Sequence, residues 1–293
     1  MTQTNNNVHP PTKADPARRR RTTKSARTDS PSSLSTLTRQ GVTRGGEMLL
    51  FALKGFREVP AAIRLYPEEV FRQAGLLVRS SVGVVLFIMF VFGFLLTLQM
   101  TTPFGNAGID SYMGFAAAFV SRGLYEIVFA WTLAAKTGCG IVAELGAMRI
   151  DEEIDALEVM GIRPIAYLVS TRLVAGLVVI PFLWCSSLGA AYGASYLAAV
   201  PLTDVTSQGG FVYILFLFQN MFDFVVWMAW ALIYGVVIIL VACYFGYTAT
   251  GGPFGVGRNT AWSMLVNIVL ISLIAVAINQ VFYGNNPNLP IGN

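Results

Sequence analysis

The chain has 293 residues, of which 55% are hydrophobic and only 12% are charged, and its formal net charge is +4. Several apolar runs approach the length of about 20 residues that crosses a bilayer, which argues against a soluble fold. The single histidine, His9, lies in a polar tail, which leaves little room for histidine catalysis or zinc chemistry. The cysteines are widely spaced, and we interpret them as packing residues. We expect no metal and no nucleic acid partner.

The first 40 residues are rich in Ser, Thr, Pro and Arg and contain almost no large apolar residues. This composition cannot form a core, so we predict a disordered basic tail over residues 1–40. Residues 41–80 instead mix apolar and basic side chains, and no run there is long enough to span a bilayer. The pattern predicts amphipathic helices in the membrane interface, broken at Pro60 and Pro67.

Residues 81–283 contain the long apolar runs, which predict five transmembrane helices at 82–99, 115–135, 173–200, 224–245 and 261–282. The second run lies in a longer segment, 112–146, that is rich in small residues, and these let helices pack closely in lipid. Residues 207–220 are short for a span and predict an outer interfacial helix, and residues 284–293 would form a short outer tail. The predicted fold is an all-α membrane protein.

The distribution of charge predicts the orientation of the chain. Residues 1–79 carry 14 Lys and Arg against 6 acids, whereas residues 80–293 carry 6 against 10. A basic segment beside the first span places the N-terminus in the cytoplasm, and five crossings place the C-terminus outside. Four later arginines fall in candidate inner loops: Arg149, Arg163, Arg172 and Arg258. We expect a multi-pass protein of the plasma (inner) membrane.

The segment MRIDEEIDALEVMGIRP, residues 148–164, concentrates five carboxylates within residues 151–158. Helical spacing gives it one apolar or small face, formed by Ile150, Ile154, Leu157 and Gly161. Gly161 also suits a C-terminal cap, so we predict a helix of about ten residues on the cytoplasmic side. A solvated loop helix is one interpretation. The other is a docking helix whose apolar stripe and carboxylates are covered by a basic cytoplasmic protein.

Residues 143–175, AELGAMRIDEEIDALEVMGIRPIAYLVSTRLVA, strongly resemble the signature of the MlaE/YrbE family. Its members are permease subunits of ABC transporters that act on lipids with MCE (mammalian cell entry) proteins. A second stretch, GYTATGGPFGVGRNT at 246–260, resembles a Gly-rich loop of the family, and Gln99 matches a Leu-Gln pair at the end of its first span. The resemblance covers residues 60–283.

The resemblance implies that the acidic segment is the coupling helix that docks on a cytoplasmic ATPase, through Ile150, Asp151, Glu152, Glu153, Ile154, Asp155, Leu157, Glu158 and Gly161. It also implies a second cytoplasmic loop that contains Gly251, Gly252, Gly255, Gly257 and Arg258. Within the coupling helix, we predict that Ile154 and Leu157 contact the ATPase and that the carboxylates form a polar surface around them.

Other polar groups lie in or near the apolar spans, where a charge is costly and usually faces a cavity or the bundle interior. Candidates for the polar lining of a lipid pocket are Gln99, Arg122, Glu126 and Asp223. Structural ion pairing is an equal alternative for Arg122 and Glu126, which are one helical turn apart. For Lys136 and Glu144 we favour structural roles.

Three positions depart from the family pattern. Gly123 replaces an acid and Trp230 replaces a lysine, so a headgroup contact built on that lysine cannot be assumed. Lys136 stands where the family usually has arginine, which keeps the charge but loses a bidentate contact.

The sequence and its resemblance together predict an ABC permease that moves lipids or hydrophobic molecules with MCE proteins. No Walker A motif is present, so ATP and Mg²⁺ would bind to a partner ATPase dimer, and this chain would hold no cofactor. We expect a lipid pocket between two permease chains, walled by the first two spans and the outer interfacial segment. Actinobacterial MCE systems usually encode two different permeases, and the altered Gly123 and Trp230 favour such a distinct partner.

Two other classes of function remain. A proton-coupled secondary transporter could use Glu126 or Glu144 and would need no ATPase. An intramembrane enzyme such as an acyltransferase would need a catalytic base, and the sequence offers no histidine beyond the tail.

Overall fold

The computed structural model describes residues 34–121, 123–204 and 206–283, and all regular structure in these residues is helical. Five helical segments in them are long and apolar enough to cross a membrane, which confirms the predicted all-α fold with five spans. The chain divides into two units, residues 1–47 and residues 48–293, which are described separately.

The described part of the first unit is the beginning of helix α1, Leu34–Arg57. Residues 34–40 are therefore helical, although the sequence predicted a disordered tail up to residue 40. The four prolines of the tail all precede residue 32, so none of them interrupts a helix that starts at Leu34. The remainder of the predicted tail, residues 1–33, lies outside the described residues.

The second unit begins with the end of α1 and with helix α2, Val59–Leu65. The ring of Phe51 packs edge-on against that of Tyr244, with centroids 5.7 Å apart. The Oγ atom of Ser170 donates a hydrogen bond to the carbonyl oxygen of Gly55 at 2.8 Å. These contacts hold the end of α1 against the helical bundle. A position of α1 and α2 in the membrane interface stays a prediction.

The first span is helix α3, Pro67–Ala107, which is 41 residues long. The sequence predicted a span at 82–99 and a separate interfacial helix before it, but a single helix runs through both. No proline lies between Pro67 and Pro103, so nothing forces a break at residue 80. At 1.5 Å per residue the helix is about 60 Å long, roughly twice the thickness of the hydrocarbon core.

The second span starts later than predicted. Residues 115–135 are divided between helix α4, Met113–Ser121, and helix α5, Leu124–Leu133, with Gly123 between them. The small residues at the start of the predicted run belong to α4, which packs against the short helix Gln208–Leu217 instead of crossing the membrane with α5. The crossing segment continues from α5 through a π-helical turn and helix α6, which cover Ala134–Gly138 and Cys139–Ile150.

The third span is longer than predicted and follows the short helix α7, Glu153–Val159. It runs over Ile165–Leu202. The central helix is α8, Thr171–Leu197, and π-helical segments flank it at Ile165–Ser170 and Ala198–Leu202.

Helix α9, Gln208–Leu217, confirms the short helix predicted at 207–220. It starts at Ser207, whose Oγ atom accepts a hydrogen bond from the backbone N–H of Gly210 at 3.2 Å. It packs against α4 so closely that a Cβ atom on Gly114 would lie 2.4 Å from the carbonyl oxygen of Phe211. The two short helices thus form a layer of their own, whose position at the outer interface stays a prediction.

The last two spans are helix α10, Met221–Tyr247, and helix α11, Gly252–Tyr283. The sequence placed the fifth span at 261–282, so α11 starts nine residues earlier than predicted. Pro253 lies in its first turn, where a missing backbone N–H costs nothing. Most of the predicted Gly-rich loop is therefore helical.

Close contacts at small residues hold the spans together. A Cβ atom on Gly93 of α3 would lie 2.4 Å from the carbonyl oxygen of Ala191 in α8, so these backbones touch. A Cβ atom on Gly235 of α10 would lie 2.0 Å from Cδ1 of Ile180. By contrast, a Cβ atom on Gly189 would meet nothing within 4 Å. Buried aromatic side chains fill the core around these contacts: Tyr125, Phe129, Trp184, Trp227 and Tyr234.

Candidate functional site

The acidic segment folds into a turn and the short helix α7. Helix α6 ends at Ile150, Asp151 and Glu152 form the turn, and α7 begins at Glu153. Glu152 has a left-handed φ of 58°, which reverses the local course of the chain. The helix is shorter than the sequence predicted because two of the five carboxylates belong to this turn.

The end of α7 agrees with the prediction. Gly161 has a φ of 78°, and its N–H donates to the carbonyl oxygen of Glu158 at 2.9 Å. The N–H of Ile162 donates to the carbonyl oxygen of Leu157 at 3.0 Å. These bonds satisfy carbonyl groups of the last turn, and a glycine accepts the left-handed conformation without strain.

The apolar face of α7 is covered by the chain itself. Ile154 is 0% exposed and belongs to the main hydrophobic core, and Leu157 is partly buried against the same core. Ile154 is therefore not part of a free contact stripe, whereas a contact between Leu157 and an ATPase stays a prediction. Spacing identified the apolar face correctly, but the neighbouring helices bury it.

Two apolar side chains at the end of α7 remain free. Val159 is 89% exposed and Met160 is 66% exposed, and we call this pair the α7 tip. The acidic side chains of the preceding turn and of α7 are exposed as well: Asp151, Glu152, Glu153, Asp155 and Glu158. The accessible surface of the segment thus combines a small apolar tip with five carboxylates along the turn and the helix.

Polar contacts connect α7 and the following segment to α6, to α10 through Arg149, and to the joint between α1 and α2. Arg149 of α6 donates to Asp155 at 2.5 Å, and its guanidinium lies 5.9 Å from the ring centre of Tyr247 in α10. Arg163 contacts Glu58, between α1 and α2, at 3.3 Å. Exposed ion pairs contribute at most about 1 kcal/mol each, so the buried apolar face is the stronger attachment.

The Gly-rich stretch is the tight start of a helix rather than a loop. Gly251 and Gly252 have φ values of 88° and 71°, which favour glycine. A Cβ atom on Gly255 would lie 1.9 Å from a preceding carbonyl oxygen. Gly257 has open space around it, and Arg258 is exposed. Of the five residues predicted for a loop, only Gly251 precedes α11.

Glu144 of α6 pairs with a buried arginine of the third span. Nη2 of Arg172 lies 2.9 Å from Oε1 of Glu144, and Nη1 donates to the carbonyl oxygen of Leu168 at 2.8 Å. The Arg172 side chain is 4% exposed and that of Glu144 is 46% exposed. The sequence analysis put Arg172 in an inner loop, but the third span already begins at Ile165. The sequence signal that could have placed Arg172 inside the span is the long apolar run that follows it directly.

Lys136 lies in the π-helical turn of the second span, and its side chain is exposed. Among the described residues, none forms an ion pair or a hydrogen bond with it. The adjacent Thr137 shares a hydrogen bond of 2.8 Å with Ser81 of α3. Ion pairing within the described residues therefore does not account for Lys136, and the structural role that we favoured for it stays a prediction.

Two predicted pocket residues are buried in the second unit. Glu126 of α5 is 2% exposed, and Asp223 in the first turn of α10 is 0% exposed. Neither carboxylate oxygen of Glu126 has a hydrogen-bond partner in the described part of the chain. Its predicted partner, Arg122, lies outside the described residues. Gln99 is exposed on α3, and no described contact joins it to either acid.

The sequence analysis missed two buried polar residues of the fifth span. Ser263 is 1% exposed and Asn267 is 0% exposed, and their side-chain polar atoms have no hydrogen-bond partner within the described residues. A Cβ atom on Gly138 of the second span would lie 3.6 Å from Nδ2 of Asn267. An asparagine inside the apolar run at 261–282 was the signal that could have found this position.

Two of the three positions at which we expect a departure from the family pattern, Gly123 and Trp230, lie among packed helices. Trp230 of α10 is 3% exposed, and its ring packs edge-on against Phe282 of α11 with centroids 5.9 Å apart. A Cβ atom on Gly123 would lie 3.3 Å from Nδ2 of Asn279. A large indole therefore fills this interior space.

Known proteins resemble this chain over most of its length. A probable ABC transporter permease protein of Rickettsia felis is 28% identical over 236 residues, which cover 80% of this chain and 91% of the relative. A probable ABC transporter permease protein of Synechocystis is 28% identical over 244 residues, which cover 81% and 85%. The Arabidopsis thaliana protein TRIGALACTOSYLDIACYLGLYCEROL 1, chloroplastic, is 28% identical over 242 residues, which cover 81% and 66%.

The match to a protein family covers all five spans. The model of the MlaE permease family matches residues 70–281, from the second turn of α3 almost to the end of α11. It includes α7, the Gly-rich helix start and every buried ionisable group described above. The chain is a multi-pass membrane permease, and it belongs to the MlaE permease family.

Proposed function

We propose that this chain is the permease subunit of an ABC transporter that moves lipids or other hydrophobic molecules together with MCE proteins. The family and the names of the bacterial relatives support a permease of the ABC type. The Arabidopsis relative is named after trigalactosyldiacylglycerol, which supports a lipid substrate. A partner ATPase dimer would bind ATP and Mg²⁺ and supply the energy.

The observation that carries the proposal is the division of α7 into a buried face and a free tip. Ile154 anchors the helix in the hydrophobic core, while Val159, Met160 and the carboxylates of the segment are exposed. A bilayer is a poor cover for so many acids, whereas a basic protein surface with an apolar recess fits both parts. We therefore propose the α7 tip as the contact with the ATPase.

The anchoring of α7 explains how a motion of the ATPase would reach the spans. The helix is attached to α6 and α10 through Arg149, and the segment after it is attached to the α1–α2 joint through Arg163. A displacement of the tip would thus act on two spans and on the N-terminal helices together. This arrangement supports a coupling role for α7.

The first and fifth spans offer the largest free apolar faces. Only 28% of the apolar window of α3 and 22% of that of α11 are buried, against 50–56% in the other three spans. We propose that a second permease chain contacts these faces and that a lipid pocket lies between the chains. Its walls would come from the first two spans and α9, and the second chain would be a distinct paralogue.

The proposed orientation follows the basic N-terminus. We place the chain in the plasma (inner) membrane with the N-terminus and α7 on the cytoplasmic side, since 14 of the 20 Lys and Arg residues precede residue 80. An odd number of spans then puts the C-terminus outside. The MCE proteins would meet the outer layer that α4 and α9 form.

A substitution in the α7 tip tests the ATPase contact. In the transporter co-expressed with its ATPase, Met160→Glu replaces an exposed apolar contact by a charge. We expect the amount of co-purified ATPase to fall about tenfold, the effect of losing one strong interface residue. Met160→Leu keeps the apolar contact and is the matched control. Unchanged ATPase yield and unchanged lipid-stimulated ATP hydrolysis in Met160→Glu would contradict the proposal.

The unpartnered Glu126 is the one observation that favours a proton-coupled secondary transporter instead. A buried carboxyl group without a hydrogen-bond partner in the described chain could bind and release a proton during transport. Such a transporter would work without an ATPase. Substrate movement by the isolated chain in proteoliposomes, driven by a pH gradient and abolished in Glu126→Gln, would support this alternative.

A further inference from the structure

A cleft of about 350 Å³ opens between the first, second and third spans. This volume lies in the range of small-ligand sites and is too small for a whole two-chain lipid. One part of the lining is apolar and comes from α3, α6 and α8. The other part is polar and consists of Gln73, Ser80, Lys136, Thr137, Glu144 and Arg172.

The lining of the cleft contains two positive side chains, Lys136 and Arg172, and one negative side chain, Glu144. Glu144 is engaged by Arg172 at 2.9 Å, which neutralises that pair. The remaining cation, Lys136, has no ion-pair partner among the described residues. Near one end of the cleft, Glu69 is already bound by Arg72 at 2.7 Å and by Gln73 at 2.7 Å. One positive charge is therefore left without a counterion.

The position of Lys136 makes this surplus charge costly. It lies near the middle of the apolar span Leu124–Ile150, where an unpaired lysine costs at least about 2.5–3.5 kcal/mol. The backbone departs from α-helical geometry at this point, because Lys136 is the central residue of the π-helical turn Ala134–Gly138. Such turns occur most often at functional sites. A bound anion would offset the cost.

The second cation of the cleft is held in a fixed position. Arg172 is 3% exposed, and its guanidinium contacts both Glu144 and the carbonyl oxygen of Leu168. Its Nε atom has no hydrogen-bond partner in the described part of the chain. The π-helical segment Ile165–Ser170 directly precedes it, so the cleft lies beside two irregular backbone segments. The cationic side of the cleft is thus built before any ligand arrives.

We propose that this cleft binds the anionic headgroup of a membrane lipid, with the ammonium of Lys136 as its counterion. The polar side chains would bind the headgroup, and the apolar lining would contact the parts of the acyl chains next to it. A free anion has no acyl chains and would leave the apolar lining without a contact. The cleft shares the first two spans with the lipid pocket proposed between two permease chains, but its lining includes the third span and no residue of α9. It does not depend on which molecule the transporter moves.

Photo-crosslinking in a defined bilayer tests the site. The full chain is placed in nanodiscs of phosphatidylcholine that contain a small fraction of phosphatidylglycerol with a diazirine near the headgroup. After irradiation, crosslinks are mapped to the peptides that carry residues 73–80 and 136–144. We expect Lys136→Met to lower labelling of these peptides about tenfold, the effect of losing one charge-assisted contact. Lys136→Arg keeps the charge and should retain the labelling.

A second exposed cation near the cleft in sequence serves as a matched control. Arg79 is exposed on α3 and is not part of the cleft lining, so Arg79→Met should leave the labelling unchanged. Thermal unfolding of each variant checks that it is folded. If Lys136→Met does not fold, the wild-type chain still decides the question through a comparison of the phosphatidylglycerol probe with a phosphatidylcholine probe.

Three results would overturn the proposal. Equal labelling in folded Lys136→Met would show that the ammonium does not bind the headgroup. Equal labelling of the cleft peptides by the phosphatidylcholine probe would show that the negative charge of the lipid is not recognised. Displacement of the phosphatidylglycerol probe by millimolar inorganic phosphate would show that the ligand is a free anion rather than a lipid.

Discussion

Ile154 and Met160 lie only six residues apart, but Ile154 is 0% exposed whereas Met160 is 66% exposed. The first side chain is part of the permease core, and the second faces away from it. A substitution at one position should therefore affect the stability of the chain, and a substitution at the other should affect its partner.

Replacing Ile154 by alanine should destabilise the permease. Removing a buried side chain of this size costs about 2–5 kcal/mol because a cavity remains. We expect a clearly lower unfolding temperature in detergent, while the same measurement on Met160→Ala should change little. A normal unfolding temperature together with loss of the ATPase in Ile154→Ala would show that Ile154 faces the partner instead.

The ion pair between Arg172 and Glu144 should respond unequally to loss of its two members. Glu144→Leu leaves a buried guanidinium without its carboxylate, whereas Arg172→Leu leaves a carboxylate that is already half exposed. We expect Glu144→Leu to cost about 2 kcal/mol, somewhat less than the full cost of breaking a buried pair, and Arg172→Leu to cost less. Unfolding in mixed micelles measures both, and the double variant shows how strongly they are coupled. The reverse order would contradict the structure.

Gly93 should tolerate no side chain at the crossing of α3 and α8. A Cβ atom there would lie 2.4 Å from a backbone oxygen of Ala191, so Gly93→Ala must separate the two helices. We expect a lower unfolding temperature and reduced yield of folded protein. Gly189→Ala on α8 is the matched control, because its Cβ atom meets nothing within 4 Å. Equal stability of the two variants would show that the crossing is looser than described.

The intact transporter should contain one copy of this chain and one copy of a different permease. Gly123 and Trp230 stand where the family has an acid and a lysine, and in a symmetric pair both groups would be missing twice. A distinct partner could still supply them. Native mass spectrometry of the purified complex gives the stoichiometry. Two copies of this chain without another permease would refute the heterodimer.

The five spans could be predicted because the length of an apolar run is a property of the local sequence. The same holds for the end of α7, where Gly161 supplies the left-handed residue that a helix cap requires. The helix at 207–220 was found for similar reasons. Such features need no knowledge of what packs against them.

The errors concern features that depend on distant parts of the chain. Periodicity showed that Ile154 lies on an apolar face but not that the permease itself covers that face. The break at Gly123 separates α4 from α5, and α4 packs on α9 instead of continuing the second span. The partner of Glu144 is Arg172, 28 residues later on another helix. The contacts that cover Ile154 and that pair Glu144 with Arg172 have no local sequence signal.

The close approach of α3 and α8 has a geometrical consequence for a helix of this length. Gly93 lies about two-thirds of the way along Pro67–Ala107, and there α3 touches Ala191 and accepts a hydrogen bond from Ser195 at 3.3 Å. The buried side chains of α3 recur at every fourth residue from Glu69 to Thr97, so its packed stripe extends over most of the helix and does not end at Gly93. A helix supported over that length should move together with the spans it packs against and should not turn about a single contact.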